Sequence, residues 1–280
     1  MDTLHAIAIA ILQGATELFP ISSLGHAVVI PALLNWPLDQ KSAEYLPFLV
    51  LLHTGTAAAL LLYFWRDWLR LATGVLGIDG PVVASEQRRL FVLIVVATIP
   101  AVVLGYGLNH FFRSLFATPI YACCFLFANG LLLLLGEKLR GRTTGNERPG
   151  SEMTTADALI IGVWQCGALL PGISRSGATI VGGLLRGFSH YDSARFSFLI
   201  ALPIIVGATV LEVPHLLHAG VPAGVFQQAL IAAVVAGITA FVATALLMRW
   251  FRNNDDWALT PFAIYCLLFG AGSAAYLLLR

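Results

Sequence analysis

Charge is what this chain has least of. Asp, Glu, Lys and Arg together make up 11% of its 280 residues, against about 25% in an ordinary soluble domain. So few charges cannot cover a water-exposed surface around one core, whereas lipid accepts the 58% of residues that are hydrophobic. The formal net charge of +1 leaves no basic surface for nucleic acid. Cysteine is scarce too. Cys123, Cys124, Cys166 and Cys266 all lie in apolar runs, two of them adjacent, and none has metal-ligand spacing with histidine. They read as small apolar packing residues rather than a disulfide framework or a zinc site. No Lys or Arg precedes the first apolar run in Met1-Asp2-Thr3-Leu4-His5, so a cleaved secretory signal is not expected.

What is present is apolar length. A spanning helix needs roughly 20 mainly apolar residues, and six stretches supply them: about 46–65, 90–109, 117–136, 194–212, 224–248 and 259–279. Two other apolar regions are interrupted. Residues 3–35 carry Gln13, Glu17, Pro20, Ser22, Ser23, Gly25 and His26, and residues 155–188 carry Gln165, Pro171, Gly172, Ser174, Arg175, Ser176 and Gly177. Broken backbone at membrane depth persists only where protein or a watery cavity satisfies it. Each region therefore reads as a re-entrant helical hairpin that enters and leaves on one side.

The basic residues agree with this layout. Arg66, Arg70, Arg88 and Arg89 fall between the first two spans, with Lys138, Arg140, Arg142 and Arg148 in the segment 137–153. Arg186 and Arg195 precede the fourth span; Arg249 and Arg252 follow the fifth. All of these lie on one side, and only Lys41, Arg113 and Arg280 on the other, so the basic side is expected to be cytoplasmic. The halves also repeat at an offset of 152: Gln13 with Gln165, Leu18 with Leu170, Ile21 with Ile173, Ser22 with Ser174, Gly25 with Gly177 and Gly55 with Gly207. The expected architecture is an all-α integral membrane protein with an inverted-topology repeat. Residues 1–136 and 154–280 each form a re-entrant hairpin plus three transmembrane helices, joined by a flexible cytoplasmic linker at 137–153. Paired broken segments in inverted halves point to a site near the midplane.

The first hairpin places Gln13 and Glu17 four residues apart, on one helix face. A lone carboxylate in lipid is costly, so Glu17 needs a cation, a proton or a cavity. Pro20 ends the first helix and Ser22 or Ser23 caps the second, with His26 about one turn on. The second hairpin offers Gly172, Ser174, Ser176, Gly177 and Thr179 around a helix start, where free N–H groups, the positive dipole end and hydroxyls suit a phosphate. Arg175 adds a fork for bidentate phosphate binding. The duller alternative for Arg175 is a purely structural ion pair with Glu17. His53, Asn109, Asn129 and Glu212 read as packing or interfacial residues, and Trp36, Trp65, Trp68, Trp250 and Trp257 as interface anchors.

The run from Glu17 through Pro20-Ile21-Ser22-Ser23 to Gly25-His26 resembles the first signature of the undecaprenyl-diphosphate phosphatase family, the BacA type. Pro171-Gly172-Ile173-Ser174-Arg175-Ser176-Gly177-Ala178-Thr179 resembles its second, and Phe64-Trp65-Arg66 and Pro261-Phe262-Ala263-Ile264-Tyr265 extend the likeness over essentially the whole chain. The resemblance implies a bacterial cytoplasmic-membrane enzyme that hydrolyses undecaprenyl diphosphate to the monophosphate and inorganic phosphate. It thereby recycles the lipid carrier for cell-wall synthesis and confers bacitracin resistance. The resemblance further implies Glu17, Ser23, His26 and Arg175 as the catalytic set. It adds a divalent cation, Mg2+ or Ca2+, and Glu17 either binds that cation or steers a proton. Two positions depart from the family pattern. Gln13 stands where some members carry a first glutamate, and Leu49 where relatives are often acidic, so water and phosphate oxygens would have to complete a magnesium shell.

The expected mechanism holds the diphosphate in a pocket open to the outer, periplasmic side. Arg175, the N–H groups near Gly172 to Gly177, and Ser174 or Ser176 bind the terminal phosphate, with Ser22, Gln13 and Thr179 as further contacts. Ser23 activated by His26, His26 itself, or water attacks. The partners are the polyprenyl diphosphate and the bilayer; a homodimer is left open. The rival from another class is a transporter or flippase for polyprenyl phosphate or an anion, because such proteins are also built from inverted repeats with broken helices.

Overall fold

The computed structural model describes residues 3–36, 45–107, 118–140, 147–218 and 223–280, apart from the side chains of 46, 47 and 211–226. Lys41, Asn109, Arg113, residues 141–146 of the linker and the Glu212 side chain thus lie outside the described residues. Eleven α-helices are described: α1 Thr3–Thr16, α2 Ser23–Leu34, α3 Tyr45–Tyr63, α4 Trp65–Val75, α5 Pro81–Gly107, α6 Pro119–Arg140, α7 Thr155–Gln165, α8 Arg175–Leu185, α9 His190–His218, α10 Ala223–Asn253 and α11 Thr260–Leu279. Short 3-10 turns occupy Gly150–Glu152 and Cys166–Leu169. Among the described residues the only strand-like feature is an isolated bridge between Arg148 and Phe188.

The protein is an all-α integral membrane protein. Pro81–Gly107, Pro119–Arg140, His190–Val210, Gln227–Asn253 and Thr260–Leu279 are long and apolar enough to cross a bilayer. Their outward faces carry exposed Val102, Val103, Val234, Ile238 and Leu268, apolar surface that lipid rather than water suits. The first expected span differs. It stops at Tyr63, and Phe48–Tyr63 meets Trp65–Val75 at 74°. The segment after Trp65, expected as loop, is therefore the helix α4. The physical reason is its pattern. Arg66, Asp67 and Arg70 cannot continue into lipid, while Leu71 and Gly74 are buried against the bundle, so the helix turns and lies along it. An Asp67–Arg195 ion pair ties α4 to α9.

Both interrupted regions are short helix pairs. The first helix stops at Thr16, four residues before Pro20, because the Pro20 ring clashes with the carbonyl four residues back. In the second region, α7 starts on a capping box, Thr154 with Asp157, and breaks into the 3-10 turn at Cys166. Ser22 and Ser174 begin the returning helices in the same way, each hydroxyl accepting from the N–H three residues on, Gly25 at 3.3 Å and Gly177 at 3.1 Å.

The basic end of the helices is held by ions. The Glu137 carboxylate accepts from the Leu259 N–H and lies 3.0 Å from His190 Nε2, while His190 Nδ1 lies 3.1 Å from Asp255. Arg140 reaches Asp255 and Glu147, and Asp157 takes Arg148 at 3.0 Å and Arg186 at 2.6 Å. The described part of the linker, 147–153, is thus anchored to α7 and α8.

In lipid, helices associate through close packing, which small residues permit. At Gly55 on α3 a side chain would stand 1.9 Å from the Ala233 carbonyl oxygen of α10, whereas Gly272 on α11 faces open space. Gly55→Ala is expected to lower the thermal unfolding midpoint in detergent, with an overpacking cost of about 1–3 kcal/mol. Gly272→Ala is expected to leave the midpoint unchanged, and equal midpoints for the two variants would refute this packing account.

Candidate active site

The two polar turns meet inside the bundle. The Cα of Gly172 would lie 3.0 Å from a Cβ placed on Gly25, and Gly172 itself has a φ of 116° with the Ala122 carbonyl 2.5 Å from where its Cβ would be. Only glycine fits there. The hydroxyl of Ser176 donates to the Phe19 carbonyl at 3.1 Å, and that of Ser174 reaches the same oxygen at 3.4 Å. Asn129, midway along α6, spans both turns. Its amide nitrogen donates to the Pro20 carbonyl at 2.8 Å, and its oxygen accepts from the Ser174 N–H at 3.0 Å. Broken helices leave backbone groups without partners, and these contacts supply them where water is excluded.

At this junction lies a cavity of about 300 Å³. Its polar wall comprises Glu17, Ser22, Ser23, His53, Gln165, Ser174 and Arg175. The rest is apolar, drawn from Leu24, Leu49 and Val50, from Ala101 and Gly105 of α5, from Leu169 and Ile173, and from Ile204, Ile205 and Ala208 of α9.

Glu17 is the centre of the polar wall. Its Oε1 accepts from Arg175 Nη2 at 3.2 Å. Its Oε2 accepts from Gln13 Nε2 at 2.9 Å and from the Ser23 hydroxyl at 2.5 Å, and lies 3.3 Å from His53 Nε2. His53 Nδ1 is 2.7 Å from the Leu49 carbonyl, which fixes the ring. Ser22 holds a φ of 69°, a conformation that costs a non-glycine residue about 1–3 kcal/mol and recurs where a site constrains the chain. Gln165 donates to the Ala97 carbonyl at 3.2 Å, while its buried Oε1 has no protein partner among the described residues.

The structure therefore brings Glu17, Ser22, Ser23, Ser174 and Arg175 to one cavity. It does not bring His26 there. Both His26 nitrogens are engaged, Nδ1 with the Ser22 carbonyl and Nε2 with the Tyr265 hydroxyl, each at 2.7 Å. The ring also stacks on Tyr265 and Phe269. No nitrogen is left to take a proton from Ser23, so the expected Ser23–His26 pairing has no geometric basis. Gly172, Ser176, Gly177 and Thr179 stand behind the cavity wall. The Ser176 hydroxyl serves Phe19, the Gly177 N–H serves the Ser174 cap, and the Thr179 hydroxyl serves the Arg175 carbonyl at 2.8 Å and Ser197 at 2.6 Å. Of these, Thr179 bonds the backbone of Arg175 itself. Gln13 likewise orients Glu17. Sequence reading missed His53 and Asn129. His53 stands inside the apolar run that begins at Tyr45 and carries no local motif.

The donor set does not suit a divalent cation. Magnesium and calcium take several oxygen ligands, usually including one or two carboxylates. Here a single carboxylate faces the cavity, both its oxygens already accept from protein donors, and a guanidinium lies against one of them. No group of three His, Cys, Asp or Glu with metal-binding proximity occurs among the described residues.

Residues 6–272 match the family model of the bacitracin resistance protein BacA. The chain is 62% identical to an undecaprenyl-diphosphatase of Granulibacter bethesdensis, over 99% of this chain and 97% of that protein. It is 57% identical to one of Acidiphilium cryptum, over 97% and 96%. It is also 41% identical to one of Mycolicibacterium paratuberculosis, over 100% and 99%.

Asn129→Leu is expected to strand the Pro20 carbonyl and the Ser174 N–H, each at about 1–3 kcal/mol for a buried unsatisfied group. A lower unfolding midpoint in detergent, together with weakened ligand response of the site, checks this. An unchanged midpoint would show that Asn129 does not hold the turns.

Proposed function

The chain belongs to the bacitracin resistance protein BacA family, and from that premise we propose that the Glu17–Arg175 cavity is where it removes one phosphate from undecaprenyl diphosphate. The chain is a membrane undecaprenyl-diphosphatase, yielding undecaprenyl phosphate and inorganic phosphate. That reaction recycles the lipid carrier for cell-wall synthesis and underlies bacitracin resistance. The observation that carries the site reading is the 3.2 Å approach of Arg175, from the second polar turn, to Glu17, from the first, on the wall of one cavity.

In this reading the diphosphate enters with its terminal phosphate against Arg175 and its prenyl chain along the apolar wall of α5 and α9. The guanidinium counters the charge on the transferring phosphoryl group, which is the main demand of this chemistry. Ser23 is the attacking group, since its hydroxyl already donates to Glu17. Its oxygen bonds to the terminal phosphorus as its proton passes to Glu17, and the bond from that phosphorus to the bridging oxygen breaks. The lipid monophosphate leaves, and water then releases phosphate from Ser23, returning a proton to the serine oxygen. Gln13 orients Glu17, and Ser174, Ser176 and Thr179 fix Arg175.

The basic residues collected at one end support a bacterial cytoplasmic membrane with that end inside. The cavity then opens toward the outer, periplasmic side. The matching Ser22 and Ser174 caps support two halves of inverted topology.

Removing one charge-stabilising donor costs about 2.7–4 kcal/mol, so Arg175→Ala is expected to slow phosphate release from a prenyl diphosphate by about a hundredfold or more. Ser23→Ala is expected to lose both turnover and the phosphorylated chain trapped by acid quench of the unaltered protein. Vesicle flux without phosphate release would favour a transporter instead. Near-normal turnover in Arg175→Ala would overturn the site.

A further inference from the structure

Helix α4 has three faces, and the rest of the protein uses only one of them. The helix turns 74° away from α3 where the apolar run ends, so it runs crosswise to that span on the basic side. Its inner face is occupied: Leu71 and Gly74 are buried, a side chain at Gly74 would meet Gln87 of α5 at 2.5 Å, and Asp67 pairs with Arg195 of α9. Trp65, Leu69 and Leu76 follow at i, i+4 and i+11 on a second face, and are 52%, 54% and 74% exposed. Arg66 and Arg70 make a third, also exposed, roughly 100° round the helix from that apolar stripe. Bulk water would leave the stripe unexplained, and hydrocarbon would leave the arginines unexplained. The boundary between the two satisfies both.

Neither arginine has a carboxylate partner among the described residues. Asp67 is held by Arg195, and Asp79 accepts from Thr73. Arg66 lies 5.3 Å from the Trp65 ring centroid, a contact made by the face of the guanidinium and not by its N–H donors. On the other flank of the apolar stripe, Trp68 leads into a crevice of about 330 Å³ lined by Phe91, Val95, Ile99 and Val103 of α5 and by Pro203 of α9. From Phe91 to Val103 the crevice follows about 18 Å of helix, close to the roughly 15 Å depth of hydrocarbon in one leaflet. A crevice of that length, starting beside an interfacial helix, suits an acyl chain.

We propose that α4 is an interfacial helix that binds an anionic phospholipid of the leaflet on the basic side: Arg66 and Arg70 take the headgroup phosphate, while the apolar stripe and the crevice take the acyl chains. A zwitterionic headgroup brings its own ammonium up to two unpaired guanidinium groups, so a net negative headgroup is preferred. The crevice shares no lining residue with the Glu17–Arg175 cavity, and the inference stands independently of the diphosphatase reading.

The test uses the full chain in vesicles of equal parts phosphatidylglycerol and phosphatidylcholine with identical acyl chains. The chain is re-extracted in mild detergent, and its retained lipids are identified by native mass spectrometry. An arginine near an anionic surface favours binding about fivefold, so the unaltered chain is expected to retain phosphatidylglycerol over phosphatidylcholine by about twenty-five-fold. Arg66→Gln with Arg70→Gln is expected to abolish the preference, and Arg66→Lys with Arg70→Lys to keep it. Arg252→Gln is the control: its guanidinium lies on the basic side too but is engaged by Tyr191, and the preference is expected to persist. If the glutamine pair does not fold, Arg70→Gln alone is read in the same way and is expected to lose about fivefold. Equal retention of the two lipids by the unaltered chain would overturn the proposal, as would an undiminished preference in the glutamine variants. Loss of the preference in Arg252→Gln to the same degree would reduce the effect to net charge and overturn it as well. Sedimentation as a dimer that Leu69→Arg dissociates would assign this face to a second copy of the chain instead.

Discussion

One constraint governs this molecule: a carboxylate placed where water is scarce has to be compensated by protein. Glu17 is 9% exposed, and four side chains from three separate segments converge on it. A buried ion pair is no guarantee of stability, since the desolvation of both partners offsets much of their attraction. Its presence in a chain so poor in charge is better understood as chemistry retained at a structural cost. The surrounding packing supplies what the pair does not, through glycine-mediated helix contacts and the turn-to-turn hydrogen bonds.

Those turns show how a break in a membrane helix is made tolerable. Each interruption frees backbone groups, and several of them find partners across the turns: the Pro20 carbonyl and the Ser174 N–H on Asn129, the Phe19 carbonyl on Ser174 and Ser176, the Gly25 and Gly177 N–H groups on their serine caps. The polar residues of the second signature therefore divide into two tasks. Arg175 faces the cavity, while Ser176 and Thr179 fasten the helix that presents it.

Much of this was legible from composition and order alone. Apolar runs of spanning length marked five of the long helices, and the polar interruptions at 13–26 and 165–177 marked both hairpins. Glu17, Ser23 and Arg175 stood out because a charge or a hydroxyl is conspicuous there. The bend at Phe64 did not, because it arises where the amphipathic stretch from Trp65 finds the bundle surface. His53 and Asn129 were passed over for a common reason. Each acts on residues distant in sequence, 36 positions from Glu17 to His53 and 109 from Pro20 to Asn129, and such pairings leave no local spacing to read. His26 misled in the opposite sense. Proximity to Ser23 in sequence suggested a pair, but a helix turn aimed its ring at Tyr265.

The fastening of Ser174 and Ser176 to Phe19 also limits how the molecule can move. Two turns stitched through backbone oxygens, an asparagine bridge and a buried salt link cannot slide past each other without breaking all of these at once, in a medium with no water to replace them. The centre is therefore a single rigid keystone, while the flanking helices α5 and α9 contribute only apolar residues to the cavity wall. A machine that rocks its halves about the middle would need a hinge where this protein has a weld.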